Sequence, residues 1–404
     1  MTLRVAMLDP SAFTIPYDDH LCRSLGAAGS RVTLFTRPAR RWDDGSRRPS
    51  ATNDARPLFD IVEHFYRLTE RLPVASSLSL LRNGLKAAEH AWNMAALDRV
   101  LRRIKPDIVH FQWTVVPAID IHCLRRMRTT APCILTVHDT SAVLAPTSRL
   151  QKAGWRAILR TFDRLIVHTR AGEQALMAKG IRQSKISVIP HGVFGAGVTP
   201  VQDDAKEAGA GACVVLAFGS IKPYKGIDVL IRALAELPST VRGNLRLIIA
   251  GAPGGQENEL RSLAARCGVE KSIEWQLRFI PDKEVPGLLA RSRVVVFPYR
   301  EIDASGALMS VLPYGKAIVA SRLGLFAELL RHGETALLVE PNSPAALASA
   351  LAAVVENRTM AVEMGRRART LAAEVCSWDR IAGLTLQAYR ETISSRAGRS
   401  EWAK

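Results

Sequence analysis

The sequence is short of what a disulfide framework, a zinc module or a membrane span would need. Its six cysteines, Cys22, Cys123, Cys133, Cys213, Cys267 and Cys376, form no CxxC pair and have no histidine at zinc-finger spacing. That leaves them as core fillers rather than cross-links or metal ligands. No apolar run reaches the roughly 18 to 20 uncharged residues that a helical span requires. The opening MTLRVAMLDP goes directly into a strand-like pattern rather than a leader, so a cytosolic chain is expected.

Negative charge is also scarce. Against 55 Lys and Arg there are 38 Asp and Glu, a net charge of +17. The deficit is concentrated in residues 1–194, which hold 29 basic and 16 acidic residues, with clusters at RPARRWDDGSRRP (37–49), RVLRRIK (99–105) and RRMR (125–128). Such a field favours an anionic lipid surface, a phosphate-bearing substrate or a nucleic acid. An arginine-rich composition that only solvates exposed faces would look the same at any single cluster. No helix-turn-helix, RNP-like aromatic stripe or zinc spacing supports the nucleic-acid reading, so no nucleic-acid partner is expected.

What is present is a long alternation. A chain of 404 residues exceeds one ordinary core, which makes two domains the expectation. Short apolar stretches recur: RVAMLD, RVTLFT, DIVHFQW, CILTVHD, RLIVHT and ISVIP, then CVVLAFG, LRLIIAG, SIEWQ, VVVFPY, AIVAS and ALLVE. Runs that are apolar throughout rather than at alternate positions fit parallel strands buried on both faces. Helical patterns such as DDHLCRSLGAAG, GIDVLIRALAEL and PAALASALAAVVEN fill the gaps, which predicts two doubly wound α/β domains. The stretch GAGVTPVQDDAKEAGAGA separates them. The division reads as residues 1–195, residues 196–375, and a closing helix in 376–404 carrying Trp378, Ile381, Leu384 and Tyr389 toward one side.

Two stretches carry chemistry. FGSIKPYKG follows a strand and precedes the helix GIDVLIRALAEL, bringing Lys222 and Lys225 to a helix start that already favours anions. Asp303-Ala304-Ser305-Gly306 lies where the loop after VVVFPY enters the next helix; Ser305 can meet a phosphate there or serve only as an N-cap.

Together these stretches resemble the family 4 glycosyltransferases of the GT-B fold, and the resemblance runs over nearly the whole chain. FGSIKPYKGIDVLIRAL, LRLIIAGAP, VVVFPY, SGALMSVLPYGKAIVAS, GLFAELLRHGETALLVEP and the closing helix follow the family's order and spacing; LTVHD and KISVIPHGVF match in the first half, PDIVHFQW more loosely. The resemblance implies two Rossmann-like domains facing a cleft, with the C-terminal helix crossing back to the first. It implies that Lys225 matches the lysine of G-R-x-x-x-K-G that holds the donor diphosphate. Ser220 stands where the arginine would be, and Lys222 is placed to supply the second charge. Asp303, Ala304, Ser305 and Gly306 resemble the loop whose backbone meets the diphosphate, His138 matches a histidine facing the donor sugar, and His191-Gly192 match the loop at the cleft. His138, Lys222 and Lys225 are thus the expected catalytic residues. His110, in mid-strand, reads instead as a satisfied core histidine.

One departure concerns the E-x7-E pattern, whose second glutamate receives the ribose. Here Ser310 holds that place, and the first position falls on Ile302 between Glu301 and Asp303, which puts Glu301 on the donor side. The sequence is similar to a branch with S-G at this loop and no glutamate pair.

The resemblance implies transfer of a hexose from a nucleotide-diphosphate sugar to a hydroxyl of a glycan or lipid-linked acceptor, with retention of configuration, in cell-surface or exopolysaccharide synthesis. Charge growing on the leaving diphosphate is met by fixed cations and helix starts, so no metal or other cofactor is expected. Asp18-Asp19 and Asp203-Asp204 are adjacent pairs without DxD spacing. An inverting course would need a base, for which Asp18, Asp19 and His20 are candidates. With Tyr17 and Trp113 they are read as acceptor-side, Asp18 or Asp19 serving otherwise as a helix cap. A polyprenyl-diphosphate acceptor at the inner membrane face would suit the basic first half, and the segment from Arg71 to Lys105 either lies in that interface or packs as a core helix. A nucleotide-sugar epimerase or a phosphorylase of the same layout is the alternative.

Overall fold

The computed structural model describes residues 2–39, 57–71, 79–140, 154–195 and 212–401. They form two compact units, one of Met1–Pro190 with Trp378–Lys404 and one of His191–Ser377.

The first unit is built on a seven-stranded sheet of β1 (Arg4–Asp9), β2 (Arg31–Thr36), β3 (Asp60–Glu63), β4 (Ile108–Phe111), β5 (Cys133–Val137), β6 (Arg164–Val167) and β7 (Ile186–Val188). All pairings are parallel and the order is β3-β2-β1-β4-β5-β6-β7. The apolar runs are buried as such runs should be: every residue of β4 and β5 is inside. β3 is the exception, fully exposed at the sheet edge, and its DIVE sequence gave no strand signal. The Trp378–Glu401 helix belongs to this unit and buries Trp378, Ile381 and Tyr389 against it. Tyr389 meets His110 in mid-sheet: His110 Nδ1 lies 2.6 Å from the phenol oxygen and Nε2 lies 2.7 Å from Thr136 Oγ1.

The second unit has six parallel strands, β8 (Cys213–Phe218), β9 (Leu245–Ala250), β10 (Ile273–Gln276), β11 (Val294–Phe297), β12 (Ala317–Ser321) and β13 (Leu337–Val339), in the order β10-β9-β8-β11-β12-β13. Its two faces are covered separately. Val215, Leu247 and Val296 pack with helices Ile227–Glu236 and Pro344–Glu356, while Leu216, Ile248 and Phe297 pack with Leu308, Met309 and Phe326.

The strand order of each sheet reverses once, between β1 and β4 and between β8 and β11. Such switch points open a crevice at the carboxyl ends of the strands, where ligands of α/β sheets bind. All six cysteines are free, four of them buried. No single described helix is long and apolar enough to cross a membrane.

Candidate active site

FGSIKPYKG leaves β8 at the switch point of the second unit. Its first part is laid against the neighbouring strand's loop, with Gly219 N donating to Ala250 O at 3.0 Å and Ile221 N to Ala252 O at 2.8 Å. Pro223–Lys225 then form one 3-10 turn, and Gly226, at φ +64°, starts the Ile227–Glu236 helix. A side chain at Gly226 would run into the Pro298 carbonyl, and L residues rarely adopt that φ.

The turn drives Lys225 inward. Its side chain is 7% exposed, with the ammonium 5.0 Å above the Tyr299 ring. A Cβ at Gly219 would stand 2.5 Å from Nζ, so glycine there makes the room. Among the described residues no carboxylate or other acceptor pairs with this ammonium. Burial, and then the charge of Lys222, lower its pKa to about 8. Lys222 itself is exposed and Ser220 half-buried.

The second stretch approaches the same strand ends. Ser305 is buried and its hydroxyl accepts from Leu308 N at 3.1 Å, so it caps the Gly306–Val311 helix. The Gly306 backbone is exposed, Asp303 and Ala304 are half-buried and Glu301 is exposed. The Tyr299 hydroxyl is buried beside Ser305 without a hydrogen bond of ordinary geometry, and burial pushes the phenol far up. Ser310 turns its hydroxyl back to Gly306 O at 3.0 Å. His191 is buried in this unit, with Nδ1 2.6 Å from Gly192 O and its ring edge-on to Phe194 at 5.3 Å.

In the first unit the switch point gathers Tyr17, Trp113 and His138. Trp113 stacks on His138 at 5.4 Å and Tyr17 meets His138 edge-on at 4.8 Å. His138 Nε2 lies 2.9 Å from Gln112 Oε1 and Nδ1 lies 3.2 Å from His168 Nε2, while His168 Nδ1 donates to Ile189 O at 3.0 Å. One face and both nitrogens of the His138 ring are therefore engaged, which fixes its orientation. His20 stacks on Trp378 at 5.2 Å, and burial lowers its pKa.

The aspartates depart from the cap reading. The helix starts at Ile15 with Thr14 in the cap position, and Asp18 is fully buried in its first turn. Asp18 faces Asp9 at the end of β1; burial raises both carboxyls, Asp18 well above the usual range with the Asp9 charge adding to it, while the hydrogen bond with Asp18 holds Asp9 back. Thr14 Oγ1 donates toward Asp18 at 3.4 Å and accepts from Trp113 Nε1 at 3.0 Å. Asp19 instead pairs with Arg23 at 2.8 Å.

Sequence reading missed Gly219, Tyr299, Arg300, Gln112 and His168. Gly219 was legible as the glycine after a strand. His168 sits at a strand end like His138 and could have been flagged on that ground. The basic cluster 37–49 lies almost wholly outside the described residues, and in RRMR Arg128 forks onto Asp163 and Arg126 pairs with Asp98 at 3.4 Å, while Arg125 is exposed. Among the described residues no group of three His, Cys, Asp or Glu could hold a metal ion.

Two sequence families match, "Glycosyltransferase Family 4" over residues 19–194 and "Glycosyl transferases group 1" over residues 201–371. The chain is 28% identical over 403 aligned residues to the D-inositol 3-phosphate glycosyltransferase of Acidothermus cellulolyticus, covering 94% of this chain and 86% of that one. It is 29% identical over 314 residues to the enzyme of the same name from Nocardia farcinica, covering 72% and 69%. Among solved structures it resembles sucrose-phosphate synthase of Thermosynechococcus elongatus, with a TM-score of 0.71 at 19% identity over 97% of this chain and all of that one. HepE of Anabaena, solved with UDP-glucose, gives 0.68 at 18% identity with the same coverage.

Proposed function

Because the chain is a glycosyltransferase of the GT-B type, we propose that it takes a hexose from a nucleotide-diphosphate sugar whose diphosphate sits against Lys225, and passes it to a hydroxyl. The observation that carries this is the Lys225 ammonium, buried at a switch point and paired with no anion among the described residues. A buried charge left unpaired is costly, and a diphosphate removes that cost. Lys222 adds a second cation from the same turn, and the exposed Gly306 backbone offers an unhindered approach. Charge developing on the departing diphosphate is then met by groups already in place. The neighbour solved with UDP-glucose supports a nucleotide-sugar donor.

His138, locked by Gln112 and His168, is the group we set against the donor sugar. The acceptor falls to the first unit, where the relatives' name, D-inositol 3-phosphate glycosyltransferase, favours a phosphate-bearing hydroxyl compound. A lipid-linked diphosphate shares that chemistry. Asp9 and Asp18 are wholly buried and Asp19 is paired with Arg23, which disfavours these carboxylates as a base for inversion, and retention of configuration is the reading kept; the anomeric proton coupling of the product tests it.

A thermal-shift panel of UDP, GDP and ADP with their sugars tests the donor site, since binding raises stability with affinity. One nucleoside diphosphate raises Tm, and Lys225→Ala removes most of the rise. An unchanged rise in the variant places the donor elsewhere. Release of an epimerised nucleotide sugar without acceptor would favour the epimerase instead.

A further inference from the structure

We infer that Arg300 is a positioning residue for the donor diphosphate, holding the Pro223–Lys225 turn to its surroundings and so fixing where the Lys225 ammonium stands. This rests on the donor-site reading above.

Arg300 lies three residues past the end of β11 and binds the turn twice. Its backbone N donates to Tyr224 O at 2.7 Å and its Nη1 to Pro223 O at 2.9 Å. The same guanidinium forks onto Asp228, in the first turn of the Ile227–Glu236 helix, at 2.8 and 2.6 Å. Its Nε donates to Asn342 Oδ1 at 2.6 Å. One side chain thus joins three segments: the lysine turn, the helix that follows it, and the loop after β13. The pairing holds the Asp228 carboxyl down; burial alone would raise it, and the hydrogen bonds and charge of Arg300 outweigh that.

An isolated ion pair a third exposed on each side would contribute little. Here the geometry is bidentate and the guanidinium also satisfies a turn carbonyl, which a lysine's single ammonium could not reproduce. The need for an outside clamp is local. Pro223 has no N–H, and the turn's own hydrogen bonds are Lys225 N to Lys222 O at 3.0 Å and Gly226 N to Pro223 O at 3.2 Å. The guanidinium hydrogen bonds go to protein acceptors, so Arg300 acts on a phosphate through Lys225.

The consequence appears in the proton affinity of Lys225. Its ammonium stands over the Tyr299 ring, itself edge-on to Tyr224, and beside the Gly219 backbone, with Lys222 on the same turn and the Arg300–Asp228 pair bound to the turn itself. A loosened turn lets the ammonium rehydrate, which moves its pKa from about 8 toward that of an ordinary lysine. Nucleotide binding then weakens at neutral pH, while its alkaline decline moves to higher pH.

The test titrates the strongest binder among UDP, GDP and ADP into wild type, Arg300→Ala, Arg300→Lys, Asp228→Asn and Lys225→Ala between pH 6.5 and 9.5. Arg300→Ala is expected to weaken binding about tenfold or more at pH 7 and to raise the alkaline midpoint by more than about half a unit. Arg300→Lys, which keeps charge without the fork, and Asp228→Asn follow in the same direction to a smaller degree. Wild-type affinity and midpoint in Arg300→Ala, whatever its Tm, would reduce the clamp to a structural staple and overturn the inference. Should Arg300→Ala fail to fold, wild-type affinity and midpoint in both of the other clamp variants overturn it equally. Full binding by Lys225→Ala, or no binding of any of the three nucleotides to wild type, overturns instead the donor-site reading on which it stands.

Discussion

Lys225 concentrates the account at the scale of one residue. Its native pKa of about 8 lies below the unfolded lysine value, so between about pH 8 and 10.5 the unfolded chain holds the proton that the native chain has released. The burial cost is therefore complete below about pH 8 and fades as pH rises through that window. Replacing Lys225 by methionine, of similar length and no charge, removes the cost. The free protein is expected to gain about 1–2 kcal/mol in denaturant unfolding at pH 7 while losing nucleotide binding. A variant that is destabilised and still binds would contradict both parts. Lys225 and Ser305 were legible because strand, turn and helix start follow one another along the chain. Arg300 was not, since its pairing with Asp228 spans 72 positions and leaves no local pattern. The alternative of Asp18 as a helix cap fails for a related reason: Thr14 holds the cap position, and the carboxyl that Asp18 faces, Asp9, belongs to the preceding strand.

Among elements, the closing helix shows most clearly what tertiary contact decides. Its apolar side was visible in Trp378, Ile381 and Tyr389, but the hydrogen bond from Tyr389 to His110 was not. The polar partners of His110 make it the satisfied core histidine that its mid-strand position suggested, and burial lowers its pKa to about 3. Below the unfolded histidine value of about 6.5 the denatured chain takes up a proton that the native ring refuses, so stability falls as pH drops from there toward 3. Tyr389→Phe leaves His110 Nδ1 buried without its partner and should cost about 1–3 kcal/mol by urea unfolding, with no change in nucleotide affinity. The buried parallel strands were readable because they are apolar on both faces. β3 escaped because an exposed edge strand needs no apolar signature.

At the scale of the whole molecule the excess positive charge remains to be used. The Ser79–Ile104 helix turns His90, Met94, Leu97 and Leu101 into the core of the first unit, settling the core reading for its middle. Its outer side leaves Leu85 and Trp92 exposed at 45% and 67%, with Arg99 over the Trp92 ring and Arg102 and Arg103 exposed beyond. We propose that this side meets an anionic membrane surface, each basic residue adding about 1 kcal/mol at low salt. Co-flotation with phosphatidylglycerol vesicles is expected at low ionic strength, reduced by Trp92→Ala and lost in high salt. Equal recovery with neutral vesicles, or none with anionic ones, would refute it.

The buried cation proposed to meet the donor diphosphate can be observed directly by following the 13Cε resonance of Lys225 across pH in protein labelled at lysine, assigned by its absence from Lys225→Met. The midpoint is expected near 8 in the free protein, rising by more than about one unit when the protein is saturated with its nucleoside diphosphate. A midpoint that saturating nucleotide leaves where it was would contradict this.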